Sequence, residues 1–383
     1  MYKLRAGIIG GGFIGAQHVE ALRRLGDVEV MAIASSNLAR AQASAEALHI
    51  PQAYASYVEL LADPEIDVIH TCTPNVLHYA INRAALESGK HVVSEKPLAM
   101  NAAETASLVE IAQHSGRLAA VNFNHRGYPM VQQARAMVAH GQIGAVWLVH
   151  GAYLQDWLLY PNDWNWRLDP AEGGNSRAVA DIGSHWADLV QHVIGQRIVR
   201  VCADLQTLLP RRVRPVGPVQ SFSGAQDAHG AEVDIATEDY AAVMFTTEGG
   251  VHGVFRVSQV SAGHKNDLVF EVNGAQASLR WDADSSDELW VGHRNQANQR
   301  ITKDPSLVAP GVRAYTHLPG GHHEAWPDAL KNVFGEIYAA IRAGRSGPGP
   351  NDAFASFSDG HRSALLVDAI LESSRRGAWV DLS

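Results

Sequence analysis

Short apolar runs alternate with longer amphipathic segments from residue 3 to residue 122, and this alternation is the strongest constraint on the fold. Each short run suits a buried strand, and each longer segment carries apolar residues at a helical spacing. Strands that alternate with helices in this way form βαβ units on a parallel sheet. We therefore predict strands at residues 4–9, 28–34, 68–72 and 91–93, joined by helices.

Residues between these runs mark where the helices begin and end. The first helix is predicted to end at Gly26, because glycine suits a left-handed C-cap, and the second stops before Pro51. Ser56 and Asn101 are each followed three residues later by a glutamate, which is the pattern of an N-terminal capping box. These signals set the helix boundaries of the N-terminal part.

A glycine-rich turn lies where the first predicted strand meets the first helix. Its spacing is Gly10-x-Gly12-x-x-Gly15. The first glycine permits a tight turn, the second lets a pyrophosphate approach the backbone, and the third allows close packing of the helix. The N–H groups at the helix N-terminus can then bind the phosphates. The position predicts dinucleotide binding; a merely tight turn is the structural alternative.

The residues after the second strand bear on the choice between NAD and NADP. An NAD-specific fold usually has an acidic residue here, which binds the ribose hydroxyls. This chain has Ser35 and Ser36 instead, and Arg40 follows one helical turn later. Because hydroxyls and a guanidinium can bind a 2′-phosphate, we expect NADP to be favoured, with NAD as the alternative. The structural alternative is that the serines cap the helix and Arg40 is solvated.

The segment HVVSEKPLAM, residues 91–100, ends an apolar strand on residues that do not belong in a core. Glu95, Lys96 and Pro97 follow directly on the fourth predicted strand. Open α/β sheets bind ligands outside the carboxyl ends of their strands. Lys96 is therefore a candidate for contact with a bound ligand.

The pattern changes after residue 124. Segments rich in β-forming residues follow at 145–153, 200–208, 240–247, 251–260 and 268–273. We predict an α/β protein with a doubly wound parallel sheet over 1–124 and a second domain, 125–383, built on a large, mostly antiparallel open sheet. Several of its strands are apolar on both faces, so we expect a second subunit to cover one face, in a homodimer or homotetramer.

Two features of this second part stand apart from its long strands. Glu248-Gly249-Gly250 predicts a hairpin turn between two of the strands. Residues 209–238, rich in Pro, Gly and Arg, predict a long surface excursion.

Composition excludes several classes of protein. At 383 residues and 46% hydrophobic content the chain exceeds the size of a single core. Its formal net charge of -9 argues against nucleic acid or an anionic membrane surface as partner. It has no apolar run near the roughly 20 residues of a membrane span and no signal-sequence pattern, so we expect a cytoplasmic protein. Cys72 and Cys202 fit a reducing compartment and are expected to be small buried residues.

Asp181 and His185 are four residues apart in the segment EGGNSRAVADIGSHWADL, hence on one face of a predicted helical turn. A single histidine among the 19 of this chain is usually structural. Paired with an aspartate in a dinucleotide-binding protein, His185 becomes a candidate for catalysis. We expect no metal site, because His and Asp lack a convincing third ligand; His322-His323-Glu324 is the alternative.

Four signatures occur in one order along the chain, and together they carry a family resemblance. They are the glycine turn, Thr73-Pro74-Asn75-x-x-His78, Glu95-Lys96-Pro97 and Asp181-x-Gly183-x-His185. In order and spacing the chain resembles the glucose-fructose oxidoreductase/inositol dehydrogenase (Gfo/Idh/MocA) family over essentially its whole length. The resemblance implies an N-terminal Rossmann domain, a C-terminal α/β domain used in oligomerisation, and pyranose or polyol substrates. It also implies a cis peptide between Lys96 and Pro97.

Further stretches bear on the subtype within the family. Residues 151–157, 164–167 and 233–235 resemble segments that line or flank the sugar site of the levoglucosan-dehydrogenase type. The serines and Arg40 depart from that type and are closer to anhydrofructose-reductase-like members that use NADPH.

The chemistry of alcohol oxidation assigns roles to these residues. Hydride leaves carbon for the nicotinamide while the hydroxyl loses its proton. His185 is the expected general base, Lys96 the fixed positive charge at the reacting oxygen and the nicotinamide ribose, and Asp181 the substrate anchor that tunes His185. Tryptophan faces and polar groups can bind a sugar.

The complete candidate sets follow from these roles and from the resemblance. The cofactor-binding candidates are Gly10, Gly12, Phe13, Ile14, Ser35, Ser36, Arg40, Thr73, Pro74, Asn75, His78, Glu95, Lys96 and Asn124. The substrate-binding candidates are Lys96, Arg126, Gln155, Asp156, Trp157, Trp166, Arg167, Asp181 and His185, although the tryptophans are also suited to a core.

The sequence leaves two other functions open. One is a glycosidase of the same fold that uses NAD transiently, which would release reducing sugar without net reduction of the cofactor. The other is a non-catalytic dinucleotide- or sugar-sensing protein. A sensor has no need to retain Lys96, Asp181 and His185 together, and this chain has all three.

Overall fold

The computed structural model describes residues 3–217, 219 and 229–382. The chain divides into two compact units. The first unit comprises Met1–Asn124 and Leu330–Ala364, and the second comprises His125–Ala329 and Leu365–Ser383. The sequence pattern assigned all of 125–383 to one domain, whereas in the structure a late segment belongs to the first unit. An amphipathic helix does not show in its own sequence which of two cores it packs on.

The first 124 residues form the predicted alternation of strands and helices. The strands are β1 (Leu4–Ile9), β2 (Val28–Ala34), β3 (Gln52–Tyr54), β4 (Val68–Thr71), β5 (His91–Ser94) and β6 (Ala119–Val121). The helices are α1 (Phe13–Leu25), α2 (Leu38–Ala47), α3 (Tyr57–Leu61), α4 (His78–Glu87) and α5 (Ala102–Ser115). These strands are all parallel, in the order β3-β2-β1-β4-β5-β6. The order reverses at β1, which places a ligand-binding crevice at the carboxyl ends of β1 and β4.

The helix caps follow the sequence signals. Gly26 ends α1 at a φ of 81°, a left-handed conformation that glycine adopts without strain. The Asn101 side chain accepts a hydrogen bond from the Glu104 N–H, 2.9 Å, and Ser56 caps α3 in the same way. The Glu104 carboxylate accepts from the Met100 N–H, 3.0 Å, so it binds one residue before the cap. The capping pattern is confirmed, with this shift.

The remainder of the chain supplies a second, larger sheet. Its elements up to residue 302 are α6 (Pro129–Ala139), β7 (Val146–Leu154), α7 (Pro170–Gly173), α8 (Ser184–Ile194), β8 (Ile198–Gln206), β9 (Arg211–Pro215), β10 (Gly230–Asp234), β11 (Tyr240–Thr247), β12 (His252–Ser258), β13 (Asp267–Gly274), β14 (Ser278–Asp282), β15 (Glu288–Gly292) and β16 (Gln299–Thr302). The last elements are α9 (Trp326–Arg342), β17 (Ala355–Ser356), α10 (Phe357–Arg376) and β18 (Val380–Asp381). Among the described residues, nine strands pair in the order β16-β15-β14-β13-β7-β12-β11-β8-β18.

This sheet is mostly antiparallel, as predicted; β7 and β12 are a parallel pair. One face packs on α6 and α8 and forms the core of the second unit. In that core the Trp186 ring stacks on Phe255 at 4.6 Å between centroids, and its indole N–H donates to the Val269 carbonyl, 2.8 Å. The buried face therefore positions α8, the helix that carries His185.

The opposite face of the sheet bears exposed apolar side chains. Leu148 is 52% exposed, Met244 47% and Val254 45%. Val254 pairs with Met244 across the sheet and with His150 on the other side. Apolar and polar groups thus alternate on this face, which is less apolar than the sequence pattern indicated.

Residues 209–238 were predicted to be a surface excursion, and the described part forms a separate, mostly exposed ribbon of β9 and β10. Residues 218 and 220–228 of this segment lie outside the described residues. Arg212 anchors the ribbon: its guanidinium is buried and donates to Asp239, 2.9 Å, and to the Leu158 carbonyl, 2.8 Å. The burial of Arg212 was not predicted, because an arginine in a polar stretch is expected to be exposed unless its buried acceptors are known.

Across residues 3–217, 219 and 229–382, none of the helices combines the length and apolar character needed to cross a membrane.

Two adjacent arginines test this anchoring. Arg212→Ala should lower the free energy of unfolding by about 3–5 kcal/mol, because it leaves buried Asp239 with a reduced countercharge. Arg211→Ala is the matched control: Arg211 pairs with Asp234 at the surface, with side-chain exposures of 71% and 91%, and should cost about 1 kcal/mol or less. Urea unfolding measures both. Equal losses would contradict the anchoring role.

Candidate functional site

The glycine turn at the end of β1 is shaped by close backbone contacts. A Cβ on Gly10 would lie 2.5 Å from the Cys72 carbonyl oxygen, and one on Gly15 would lie 2.1 Å from the Gly10 carbonyl oxygen. A Cβ on Gly12 meets no atom of the described chain within 4 Å. The first and third glycines therefore allow packing, and the second leaves space for a ligand. Helix α1 starts beside this space, with Gly12 as its N-cap and no side-chain cap from any described residue.

The first unit also contains buried polar atoms that can bind a ligand. Among the residues described, the Thr73 hydroxyl and the Asn124 amide nitrogen are buried and make no hydrogen bond. Such a group costs about 1–3 kcal/mol when left unsatisfied. Both residues were predicted to bind the cofactor, and a dinucleotide supplies donors and acceptors. The glycine turn, the helix N-terminus and these atoms together fit a dinucleotide.

Glu95, Lys96 and Pro97 follow β5, and the peptide between Lys96 and Pro97 is cis, as the resemblance implied. The Glu95 carboxylate is buried and accepts from the His18 ring, 3.0 Å, and from the Asn122 amide, 2.6 Å. Burial by itself raises the pKa of Glu95, but the hydrogen bond and charge of His18, the Asn122 bond and the Lys96 charge outweigh it and lower that pKa. Glu95 is therefore an ionised residue that holds the strand end in place.

A buried relay leads away from Glu95 and was not found from the sequence. The His18 and His70 rings meet through their Nδ1 atoms at 2.9 Å, and the Tyr338 hydroxyl lies 2.9 Å from His70 Nε2. Burial and the adjacent His18 hold the pKa of His70 well below its usual value, so His70 is neutral. The only signal was the place of His18 on the buried stripe of α1, beside Gly15 and Val19.

His78 connects two strand ends. Its ring nitrogens lie 2.7 Å from the Pro97 carbonyl oxygen and 2.9 Å from the Thr73 carbonyl oxygen. Burial lowers the pKa of His78, although both carbonyl contacts act in the opposite direction. The structure thus gives His78 a bracing role between the turns that follow β4 and β5.

The residues after β2 settle which side chain caps α2. Asn37 is the N-cap, and its side chain accepts from the Arg40 N–H, 2.9 Å. The serines are therefore not the cap, so the alternative that Ser35 and Ser36 only cap the helix is excluded. The exposed Arg40 guanidinium lies 3.4 Å from the Ser36 hydroxyl, so a hydroxyl and a cation are adjacent at the carboxyl end of β2.

The second unit carries the predicted Asp181 and His185. Asp181 lies in a π-helical turn, Val179–Gly183, and His185 is the second residue of α8. The sequence predicted an ordinary helical turn here. Single π-turns inside helices are often found at functional sites.

Asp181 is the centre of a polar cluster that unites several predicted sugar-binding residues. Its carboxylate accepts from Arg167 Nε, 3.3 Å, and from Gln259 Nε2, 2.8 Å. Gln155 Oε1 lies 3.4 Å from the same Gln259 nitrogen and accepts from the Trp157 indole N–H, 2.7 Å. Around this cluster Trp166 packs under the Arg167 guanidinium, 4.3 Å from ring to Cζ.

Two residues of the second unit were missed by the sequence analysis. His125 faces His185, with their Nδ1 atoms 3.3 Å apart and their rings 4.6 Å apart in an edge-to-face arrangement. Gln259 is fully buried one residue after β12. A polar residue at the end of an apolar strand was the only sequence signal for Gln259. Tyr153 also borders the cluster; burial and the charge of Asp181 raise the pKa of its phenol.

Two predicted sugar-binding residues have other partners. Arg126 makes a two-point ion pair with buried Asp188, with contacts of 2.8 and 2.5 Å. Asp156 accepts from Lys265, 2.7 Å, and from the Gly263 N–H, 3.1 Å. These contacts tie Arg126 to α8 and Asp156 to the turn before β13.

The proposed metal alternative at His322-His323-Glu324 conflicts with the structure. Glu324 forms a buried ion pair with Lys303, 2.5 Å, and also accepts from the His317 N–H, 2.8 Å. A carboxylate held in this way by a lysine is not placed to ligate a metal. The Lys303–Glu324 ion pair instead holds the loop around residues 322–324 in place.

The strand order, glycine turn and helix N-terminus of the first unit define a Rossmann-type dinucleotide-binding domain. Comparison with known families agrees. Residues 4–123 match the model described as an oxidoreductase family with an NAD-binding Rossmann fold, and residues 131–280 match the Gfo/Idh/MocA C-terminal domain. The chain belongs to the Gfo/Idh/MocA family.

The proteins similar to this chain include several sugar dehydrogenases. Levoglucosan dehydrogenase of Pseudarthrobacter phenanthrenivorans is 30% identical over 403 aligned residues, which cover 100% of this chain and 99% of that protein. D-xylose 1-dehydrogenase (NADP+) 2 of Haloferax volcanii is 31% identical over 73% of this chain and 84% of its own length. Among solved structures, levoglucosan dehydrogenase in complex with NADH and L-sorbose has a TM-score of 0.89 at 28% identity, with both chains covered fully.

Proposed function

We propose that this protein transfers hydride between a nicotinamide cofactor and a hydroxyl-bearing carbon of a cyclic sugar, anhydrosugar or inositol. The observation that carries the proposal is the cluster around Asp181, which joins Arg167 and the Gln155 amide in the unit that also holds His185. Hydroxyl-rich ligands need such convergent donors and acceptors. The relatives named as levoglucosan and D-xylose dehydrogenases support this substrate class.

The proposed roles follow from the chemistry of alcohol oxidation. A bound nicotinamide would supply the hydride acceptor. His185 takes the hydroxyl proton, and it returns that proton in the reverse direction. The Lys96 ammonium stabilises the negative charge that develops on the oxygen, and the Asp181 carboxylate anchors a neighbouring hydroxyl.

A screen of anhydrosugars, pyranoses and inositols with NAD and NADP tests the proposed activity by absorbance of the reduced cofactor. Turnover with at least one cyclic substrate is the expected result. Release of reducing sugar without net cofactor reduction would contradict it and indicate a glycosidase.

Removal of the proposed base or cation should nearly abolish turnover. His185→Ala and Lys96→Ala should each lower kcat by about 10²- to 10⁴-fold. His185→Ala removes the acceptor of the hydroxyl proton, and Lys96→Ala removes the cation beside the developing negative charge. Cofactor affinity, measured by fluorescence titration, should change little in His185→Ala. His114→Ala, an exposed histidine of α5, is the control and should retain full activity. A His185→Ala variant with more than half of the wild-type turnover would contradict the assignment.

We infer that NADP is the preferred cofactor. The support is the neutral Ser35 and Ser36 at the end of β2, with the Arg40 guanidinium 3.4 Å from Ser36 and Asn37 serving as the helix cap. A charge-assisted bond to a 2′-phosphate contributes roughly 1.5–3 kcal/mol, which corresponds to about ten- to a hundredfold in affinity.

Substitution of these residues should change cofactor preference selectively. Arg40→Ala should lower kcat/KM for NADP by about tenfold or more and leave that for NAD nearly unchanged. Ser35→Asp should reverse the preference, because a carboxylate repels the 2′-phosphate. Steady-state kinetics with both cofactors measures this. Equal losses with the two cofactors, or a wild type that prefers NAD, would refute the inference.

We further propose that the open face of the nine-stranded sheet joins two copies of the chain. Leu148, Met244 and Val254 are exposed there among polar neighbours, a mixture typical of interfaces between subunits. A twofold assembly would bring this one face against its own copy.

A charge on that face should therefore separate the subunits. Val254→Arg should shift the mass from light scattering toward that of a single chain, because it buries an unpaired cation in the interface. Val58→Arg is the matched control, since Val58 is 61% exposed on α3 in the first unit. A wild type with the mass of one chain at micromolar concentration would refute the proposal.

A further inference from the structure

Gln259 occupies the middle of the polar cluster in the second unit. It is fully buried, and its side-chain amide makes contacts on both sides. Its nitrogen lies 2.8 Å from Asp181 Oδ2 and 3.4 Å from Gln155 Oε1, and its oxygen lies 3.1 Å from Arg177 Nη1. One side chain thus touches both the acid and the amide of the proposed sugar site.

The orientation of this amide follows from donor and acceptor chemistry. An arginine can only donate, so the Gln259 atom that faces Arg177 must be the oxygen. The NH₂ group then has to face Asp181, and its two hydrogens are directed toward Asp181 and Gln155. Arg177 cannot turn away, because its guanidinium is buried in an ion pair with Asp239.

We propose that Gln259 is a positioning residue for the sugar site: it directs its amide N–H groups to Asp181 and Gln155 and thereby fixes where each can bind a substrate hydroxyl. The inference rests on the proposed function and extends it to specificity. The Arg177–Asp239 ion pair supports this orientation, because Arg177 donates to the Gln259 oxygen. The alternative is that Gln259 only fills space.

The near-isosteric change Gln259→Glu separates these roles. One carboxylate oxygen can still accept from Arg177, but the other replaces a donor with an acceptor opposite Asp181. Two carboxylates so close repel each other, so the pair keeps one proton to a higher pH than an isolated carboxyl group would. The other charged or titratable groups around this pair are Arg167, which contacts Asp181 directly, Asp239, which binds Arg177, and Tyr153, whose pKa the Asp181 charge raises.

In kinetics, Gln259→Glu should lower kcat/KM at neutral pH by about tenfold or more, because Asp181 loses its amide donor and faces a second carboxyl group. The loss should grow as the pH rises and the shared proton is lost, because the two carboxylates then repel each other. Gln259→Met removes the same hydrogen bonds without a charge, so it should lower kcat/KM without that pH dependence. A wild-type pH profile in Gln259→Glu would overturn the inference and leave the proposed function standing.

A second readout requires no turnover. A carboxylate pair whose folded-state pKa is raised destabilises the fold increasingly as the pH rises through that pKa. The loss of unfolding free energy in Gln259→Glu, relative to wild type, should therefore grow as the pH rises above the ordinary carboxyl range. In the Asp181→Asn background this growth should disappear, because the like charge is gone.

Urea unfolding of the four proteins in this cycle measures the coupling between the two positions. The same pH dependence with and without Asp181 would overturn the inference. Because this cycle does not depend on catalysis, its result stands even if the substrate screen is negative. That negative screen would contradict the proposed function alone.

Discussion

A buried carboxylate, Asp239, is the interaction on which the candidate site of the second unit depends. It accepts from the guanidinium groups of Arg177 and Arg212. Burial by itself raises the pKa of Asp239, but the charge of Arg177 and the other donors outweigh it, and the pKa lies below its usual value. Its stabilising effect is therefore present at neutral pH and is lost as the pH falls through that lowered pKa. Through Arg177 the same carboxylate sets the orientation of Gln259, and hence the surroundings of Asp181.

The first unit has its own buried charge at the end of a strand. Glu95 is held by His18 and Asn122, and the relay from His18 continues to Tyr338 on α9. Lys96, the proposed cation, follows Glu95 directly, and the backbone N–H of Lys96 donates to the Glu95 carboxylate, 3.2 Å. Lys96 in the first unit and Asp181 in the second are therefore each next to buried polar groups whose hydrogen bonds fix the local geometry.

Much of the fold could be predicted because its signals are local. The bounds of β1 and β2, the Gly26 cap and the glycine turn follow from apolar periodicity and from the freedom of glycine, both visible over a few residues. The burial of Arg212 within 209–238 was not predicted, because its acceptors lie far away in the chain. The metal alternative failed for the same reason, since Lys303 lies 21 residues before Glu324.

The sequence by itself determined the class of fold, the dinucleotide turn and the candidate residues Lys96, Asp181 and His185, because strand ends, glycine spacing and i, i+4 pairs are properties of neighbouring residues. The tertiary structure alone decided which polar side chains meet. His125 came to lie beside His185, and Gln259 between Asp181 and the buried arginine, through contacts 60 and 78 residues apart in the chain. Such pairings depend on how the sheet and helices pack, and no periodicity within one segment records them.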